Sequence, residues 1–275
     1  MTTVGSPNSS LNSSLGRLER YYDAVPRAAA RAEDFGPLTL FVRESPGRPY
    51  YARPTRDWAG PAATAGDVDR VRARQRELGV PEAFEWVAEV TPALREAVGA
   101  TGLCAHAHPL MLREDAAVPD PHPLVRVLDA DDPSLAGALA VPHVAFAAPG
   151  TALGAAGPAE LAAEITARAG DLPAAAERVR AGRTVVAAAV EDGVVLSSGM
   201  HLPVGGVSEV AGVGTLPAAR RRGLALAVTA ALVADARTRG VDTVFLSAGD
   251  DDVARIYGRL GFRRVATALI AEPGT

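Results

Sequence analysis

The chain has no lysine: every basic residue among its 275 is arginine. With alanine, glycine and proline abundant, this reads as a G+C-rich coding bias, so arginine in place of lysine is not by itself a sign of function. There is one cysteine, Cys104, which excludes an internal disulfide framework and a multi-cysteine zinc site and fits a reducing cytosol. It is expected as a buried apolar filler. No window approaches the roughly 18 uninterrupted apolar residues of a membrane span. The polar start, "MTTVGSPNSSLNSSLGRLER", has no apolar stretch of a secretory signal; residues 1–15 read as a disordered leader and the protein as cytoplasmic. An excess of positive charge is also missing. The net charge of −4 gives no reason to expect nucleic acid or a membrane surface as a partner. His106, His108 and His122 have neither companion cysteines nor helical i, i+4 spacing, so no metal site is expected.

What is present is length and apolar material. The size exceeds the usual range of one domain, about 100–200 residues, and 48% hydrophobic residues with mean hydropathy +0.10 can fill a core. From Val125 the elements run in regular order. "LVRVLDA" reads as a strand, "DPSLAGALAVPHVAFA" as a helix entered at Asp-Pro, and "GPAELAAEITARAG" as another helix. "RTVVAAAVEDGVVLSSGMHL" gives two β-rich runs about an Asp-Gly turn. "SEVAGVGTL" is extended, "GLALAVTAALVADARTRG" an apolar helix, "VDTVFLSA" a buried strand, "DDDVARIYGRLG" a helix, and "FRRVATALIA" a closing strand. The mixture indicates an α/β (α+β) domain with a largely antiparallel sheet flanked by helices.

The first half echoes this order: "DVDRVRARQRELGV", "EAFEWVAEV", "TPALREAVGATG" and "LCAHAHPLML" again read helix–strand–helix–strand. Gly79 and Gly102 are set apart nearly as Gly240 and Gly261 are. The echo reads as a diverged duplication, with coincidence between two ordinary α/β segments as the alternative. The proline-rich stretch at 118–123 is the expected linker between domains at 16–117 and 124–275.

The stretch "LPAARRRGLA" at 216–225 concentrates the chemistry. A helix N-terminus offers free N–H groups and partial positive charge to a phosphate. Close backbone approach needs residues with little side chain, here Gly223 and Ala225. Arg220, Arg221 and Arg222 add charge-assisted donors. The segment reads as a pyrophosphate cradle between a strand ending near Thr215 and a helix beginning near Arg221. A solvated basic turn is the alternative.

This region resembles the GNAT superfamily of acyl-CoA-dependent N-acetyltransferases. Arg220, Gly223 and Ala225 match its Gln/Arg-x-x-Gly-x-Gly/Ala signature, and "IYGRLGFRRV" resembles its second element through Tyr257, Gly261 and Phe262. The resemblance covers about residues 124–275. It implies a GNAT fold preceded by a smaller, degenerate GNAT-like domain, with acetyl-CoA as co-substrate and no metal. It further implies that the backbone of Val213, Gly214 and Thr215 bonds the pantetheine arm as an added strand would, and that Arg221, Arg222, Gly223, Leu224 and Ala225 hold the pyrophosphate. Asp250 stands where the family commonly has asparagine, seven residues before the tyrosine, which leaves that cofactor-binding position without a clear role.

Amide formation needs a base for the amine, stabilisation of the thioester oxygen, and a donor for the leaving thiolate. By the resemblance, Tyr257 is the thiolate's acid and the N–H of Val213 the oxyanion donor; a packed core aromatic is the other reading of Tyr257. Glu209 stands eleven residues before Arg220, the spacing of the strand glutamate in histone-type acetyltransferases, and is the candidate base, directly or through water. Strand alternation would put Glu209, Ala211, Val213 and Thr215 on one face. An exposed carboxylate that only binds a cationic acceptor is its alternative, and His201, just past the hairpin, is a second candidate base. The first half has Val98 where Tyr257 stands and no basic Gly-x-Gly/Ala motif, so it is expected to be inactive, covering the sheet edge and walling the acceptor pocket. Within it, "FEWV" (Phe84, Glu85, Trp86, Val87) reads as a core strand or as an amine-facing carboxylate and indole.

The expected function is therefore acetyl transfer to a primary amine, of a small molecule in the first reading, by direct attack in a ternary complex. A non-catalytic acyl-CoA-binding module and an acetyltransferase acting on a protein amine are the alternatives. A homodimer is compatible with the sequence.

Overall fold

Unbroken apolar runs cut by Asp-Gly and Gly-Gly pairs give the second half its hairpins. Asp192 and Gly193 both take positive φ (49° and 79°), as do Gly205 and Gly206 (56° and 81°), the geometry of two-residue turns that match strand twist. The computed structural model describes residues 7–44, 47 and 49–274. Its contacts separate two compact units: residues up to Leu110 together with those from Arg264, and Met111–Arg263.

The first unit opens on α1 (Pro7–Arg27), then β1 (Ala30–Asp34), β2 (Leu38–Arg43), β3 (Arg53–Pro54), α2 (Ala65–Glu77), β4 (Phe84–Val87), α3 (Leu94–Gly99) and β5 (Leu103–Arg113). Strands β1, β2 and β3 form an antiparallel sheet. Phe84, Trp86, Val68, Val71, Leu94 and Val98 centre the unit's core.

The second unit contains β6 (Val125–Leu128), α4 (Leu135–Ala147), α5 (Pro158–Ala167), α6 (Leu172–Arg180), β7 (Val185–Glu191), β8 (Val194–Val204), β9 (Val207–Thr215), α7 (Leu224–Thr238), β10 (Thr243–Ser247) and α8 (Asp251–Gly258); β11 (Phe262–Pro273) ends the chain. Its strands run in the order β10-β9-β8-β7-β6, antiparallel except for β9 with β10. Helix α4 packs so closely on this sheet that glycine is required at the contacts. A Cβ on Gly137 would lie 2.9 Å from Val195, and one on Gly214 would lie 2.9 Å from Ala145 and 3.1 Å from Pro142. The α/β character and the largely antiparallel sheet are as expected from sequence.

Several expectations are corrected. The leader expected at 1–15 is helical from Pro7; residues 1–6 lie outside the described residues. Leu11, Leu15, Leu18 and Tyr22 recur at helical spacing, and the last three are buried, so an apolar stripe overrides the surrounding serines and asparagines. Cys104 is exposed, because at the start of β5 its neighbour Leu103 takes the inward position. Glu85 is not presented to an amine: Arg53 holds it at 2.5 Å, with both side chains largely buried, and Trp86 is fully buried. The contact division also departs from the boundary expected at 118–123. The last residues group with the first unit because β11 pairs antiparallel with β4, Ala268 opposite Val87 through Ala271 opposite Phe84. Among the described residues, no helix is long and apolar enough to cross a membrane.

Candidate functional site

The site begins with an irregularity in β9. Met200 faces Ala211 and Ser198 faces Gly214 across the β8–β9 ladder, so Gly199 alone opposes Gly212 and Val213. This is a β-bulge, turned by Gly212 at φ +62°. The extra residue reverses the phase of the strand. Glu209, Ala211 and Gly214 share one face, while Val213 and Thr215 lie on the other with Ser208 and Val210. Contacts agree: Thr215 Oγ1 is 2.9 Å from Ser197 Oγ, whereas a side chain at Gly214 would strike α4. The single face expected for Glu209, Ala211, Val213 and Thr215 is corrected accordingly.

The parallel ladder of β9 and β10 covers only Val207–Glu209 against Thr243–Phe245. Beyond it, β9 runs on to Thr215 without a ladder to β10. The backbone of Val213, Gly214 and Thr215 thus lies where the two strands have stopped pairing.

After Thr215 the chain turns to α7, and the three arginines go three ways. Arg220 reaches back to α4, donating to the carbonyls of Ala145 (3.0 Å), Ala148 (2.5 Å) and Ala152 (3.0 Å). It satisfies orphan carbonyls at a helix C-terminus, where a cation is favoured. The same loop is joined by Gly154 N–H to Pro217 O and Ala218 N–H to Ala156 O. Arg222 makes a two-pronged exposed pair with Glu191 at 2.7 and 2.9 Å. Only Arg221, with a left-handed φ of +66°, lines the adjoining cavity. The guanidinium groups of Arg220 and Arg222 thus both have partners within the protein, while the backbone N–H of Arg222 remains beside the start of α7.

Gly223 is the N-cap of α7 at φ +77° and supplies no side-chain cap. A Cβ there would meet no atom within 4 Å, so the space in front of the helix end is open. It belongs to a cavity of about 550 Å³, lined by Thr215, Arg221, Gly223, Leu224 and Ala225, and also by Arg255 of α8 and Arg259 at the C-terminal end of that helix. A phosphate-bearing ligand fits this chemistry: uncapped N–H groups, glycine at the closest approach, and cations around the rim. Asp250 is not part of that lining. Its carboxylate accepts from Val253 N–H at 2.8 Å and caps α8, which accounts for an acid at that position.

Tyr257 follows the cavity-lining Ile256 and is buried edge-on against Phe262, with ring centroids 6.1 Å apart. Burial pushes its phenol pKa well up, so it keeps its proton across the physiological range. Glu209 is half-buried on β9. His201 is not a solvated loop residue: it is fully buried on β8. Its Nδ1 is 2.8 Å from Ser208 Oγ and its Nε2 2.9 Å from Asp235. With both ring nitrogens engaged and burial holding its pKa below the ordinary 6.5, it has no free nitrogen for a substrate, and the second candidate base is corrected to a structural group. Among the described residues there is no cluster of His, Cys, Asp or Glu able to hold a metal.

Sequence reasoning missed Arg255, Arg259 and Thr151, which also line the cavity. The arginines had a signal: Asp252, Arg255 and Arg259 recur at i, i+3 and i+7, one helical stripe. Thr151 sits in a loop whose path no local pattern foretells.

Residues 197–270 match the family described as FR47-like protein. No curated protein matches the chain. Among solved structures, it is similar to a GCN5-related N-acetyltransferase from Kribbella flavida, with 23% identity, 95% of this chain and 96% of that one covered, and TM-score 0.68. A GCN5-related N-acetyltransferase from Sphaerobacter thermophilus matches at 17% identity, covering 87% and 82% of the two chains, with TM-score 0.51. A GCN5-related N-acetyltransferase-like protein from Streptococcus suis matches at 11% identity over 95% and 99%, with TM-score 0.52. The chain thus shares the fold of these N-acetyltransferase structures, and the FR47-like match is confined to residues 197–270.

Proposed function

We propose that the second unit transfers an acetyl group from acetyl-CoA to a primary amine, a small molecule in the first instance. The observation that carries this reading is the uncapped N-terminus of α7, opening beside Gly223 onto an arginine-lined cavity next to a strand edge without a ladder. Acetyl-CoA supplies the activated thioester. The first-turn N–H groups of α7 and Arg221 hold its pyrophosphate, and the free edge of β9 from Val213 to Thr215 takes the pantetheine arm by strand-like hydrogen bonds. The Val213 N–H, beside the bulge, donates to the thioester oxygen as it gains charge. Glu209 takes the proton of the amine, directly or through one water. Tyr257, kept neutral by burial, donates to the departing sulfur.

Attack is direct. The only cysteine, Cys104, is not among the residues that line the cavity, so the lining supplies no thiol to carry the acyl group. The first unit is read as a degenerate copy, lacking both the open helix end and the tyrosine.

Calorimetric titration with acetyl-CoA tests the cradle: saturable binding by the wild type, abolished in Gly223→Glu, is expected, and unchanged binding in the variant overturns it. Tyr257→Phe keeps the ring packing and should lower turnover by about a hundredfold with acetyl-CoA affinity unchanged. Thiol release on a panel of amines separates an enzyme from a binding module, which would release none.

A further inference from the structure

The first unit holds a cavity that acetyl transfer does not use. It has a volume of about 260 Å³ and is formed by α1, the end of β3 with the turn after it, and the residues following β4, all of them in that unit. Gly16 opens it from within α1. A glycine costs a helix interior about 1 kcal/mol relative to alanine. Packing against the protein does not demand it, because an added Cβ would meet only the tip of Arg20, at 3.7 Å. What the missing side chain preserves is the space.

The charges of the lining are used unequally. Glu19 stands four residues after Leu15 and three before Tyr22, both buried, and so belongs to the inward side of α1. It is half-buried, and burial raises its pKa against the pull of Arg53, with the charges of Glu85 and Asp23 adding to the rise. Arg53 already donates to Glu85, and Asp23 is paired with Arg27 at 2.7 Å. Glu19 itself enters no hydrogen bond or ion pair among the described residues, and neither does Arg20. Adjacent residues of a helix point about 100° apart, so the two do not answer each other, yet both line this cavity. Its other charged residues, Arg56 and Asp57, pair at 2.9 Å. One carboxylate and one guanidinium are left open, beside an apolar wall of Pro54 and Val90.

Opposite charges left open in one small cavity suit a ligand that carries both. We infer that the cavity binds a free amino acid, its ammonium on Glu19, its carboxylate on Arg20, and an apolar side chain against Pro54 and Val90. Both polar contacts are charge-assisted hydrogen bonds, and the guanidinium fork matches a carboxylate. A single charged contact at a partly exposed site is worth little, so the ligand must supply the two together. The volume lies just below the roughly 300–1,000 Å³ of sites for drug-sized molecules, as a smaller ligand requires. The inference stands apart from the acyl-CoA reading of the second unit.

The test is a calorimetric titration of the full-length protein with L-valine near neutral pH. Two matched probes accompany it: isobutylamine, which lacks the carboxylate, and isovalerate, which lacks the ammonium. Saturable binding of L-valine is expected, with each matched probe at least about tenfold weaker. Glu19→Gln should weaken L-valine by at least about tenfold, and Arg20→Gln should bring it within about twofold of isobutylamine. Gly16→Leu fills the space and should abolish binding; leucine favours the helix over glycine, so an undiminished thermal melt shows that this variant is folded. No saturable binding of L-valine by the wild type overturns the inference. So does isobutylamine binding as tightly as L-valine, or L-valine binding that survives Glu19→Gln. Acetyl-CoA titrated into the same preparations reports separately on the second unit.

Discussion

Helices α2 and α7 each open a helix–strand–helix–strand run, and their first turns are finished in opposite ways. At α2, Thr64 accepts from Asp67 N–H while the Asp67 carboxylate accepts from Thr64 N–H, a reciprocal capping box. The end is closed by its own side chains and carries a negative charge. At α7, Gly223 leaves the corresponding N–H groups without a side-chain cap, and the nearest charged groups are arginines. An N-terminus that satisfies itself has nothing left for a ligand. One that does not is less stable alone and suited to an anion. The contrast also separates what steadies each helix. Helix α2 is held by its cap and, farther along, by Arg74 on Glu33 and Arg72 on Glu82, whereas α7, open at its start, is bolted near its other end, where Asp235 receives His201 at 2.9 Å and Arg239 at 2.5 Å.

The sharpest way to break this contrast is to give α7 the acid that α2 has. Leu226 lines the cavity in the first turn of α7. Leu226→Asp should weaken acetyl-CoA by at least about tenfold in calorimetry, since a carboxylate answers the same N–H groups and repels phosphate. Second in size, Arg220→Met removes three bonds to the α4 end and loop; denaturant unfolding should show a loss of about 2 kcal/mol. The reciprocal change on the closed helix, Thr64→Ala, should cost about 1 kcal/mol of stability and leave acetyl-CoA binding untouched.

The bolt on α7 adds a pH signature in the histidine range, above that of the carboxylates Asp67 and Glu33 at α2. Burial lowers the pKa of His201 below 6.5, outweighing the pull of Asp235. The unfolded chain therefore takes up a proton that the folded one refuses. Stability should be full above about pH 6.5 and fall as the pH drops below it. Asp235 adds to the trend at lower pH: burial pushes its carboxyl up, but its bonds from Arg239 and His201 prevail and lower it. His201→Gln, which cannot take the proton, should flatten the first part of that decline in thermal melts. The smallest effect is expected from Arg222→Ala: an exposed pair with Glu191 is worth under about 1 kcal/mol, so affinity for acetyl-CoA should stay within about twofold.

The chain's local patterns determine the elements of this picture. Apolar periodicity, Asp-Gly and Gly-Gly turns and the Gly223 break place the strands and helices of the second unit, and the same residues mark the open helix end. Such features follow from backbone propensity and short-range hydrogen bonding, which a sequence displays directly. The fate of each arginine was beyond that reach. Arg220, Arg221 and Arg222 are identical in type and adjacent, yet only Arg221 faces the cavity, because α4 carbonyls and Glu191, distant in sequence, claim the other two. The bulge at Gly212, which moves Val213 off the face of Glu209, appears only once β8 and β9 are in register. The pairing of β11 with β4 and the burial of His201 between β8 and α7 were likewise decided by tertiary structure, since strand partners and desolvation are set by residues far along the chain.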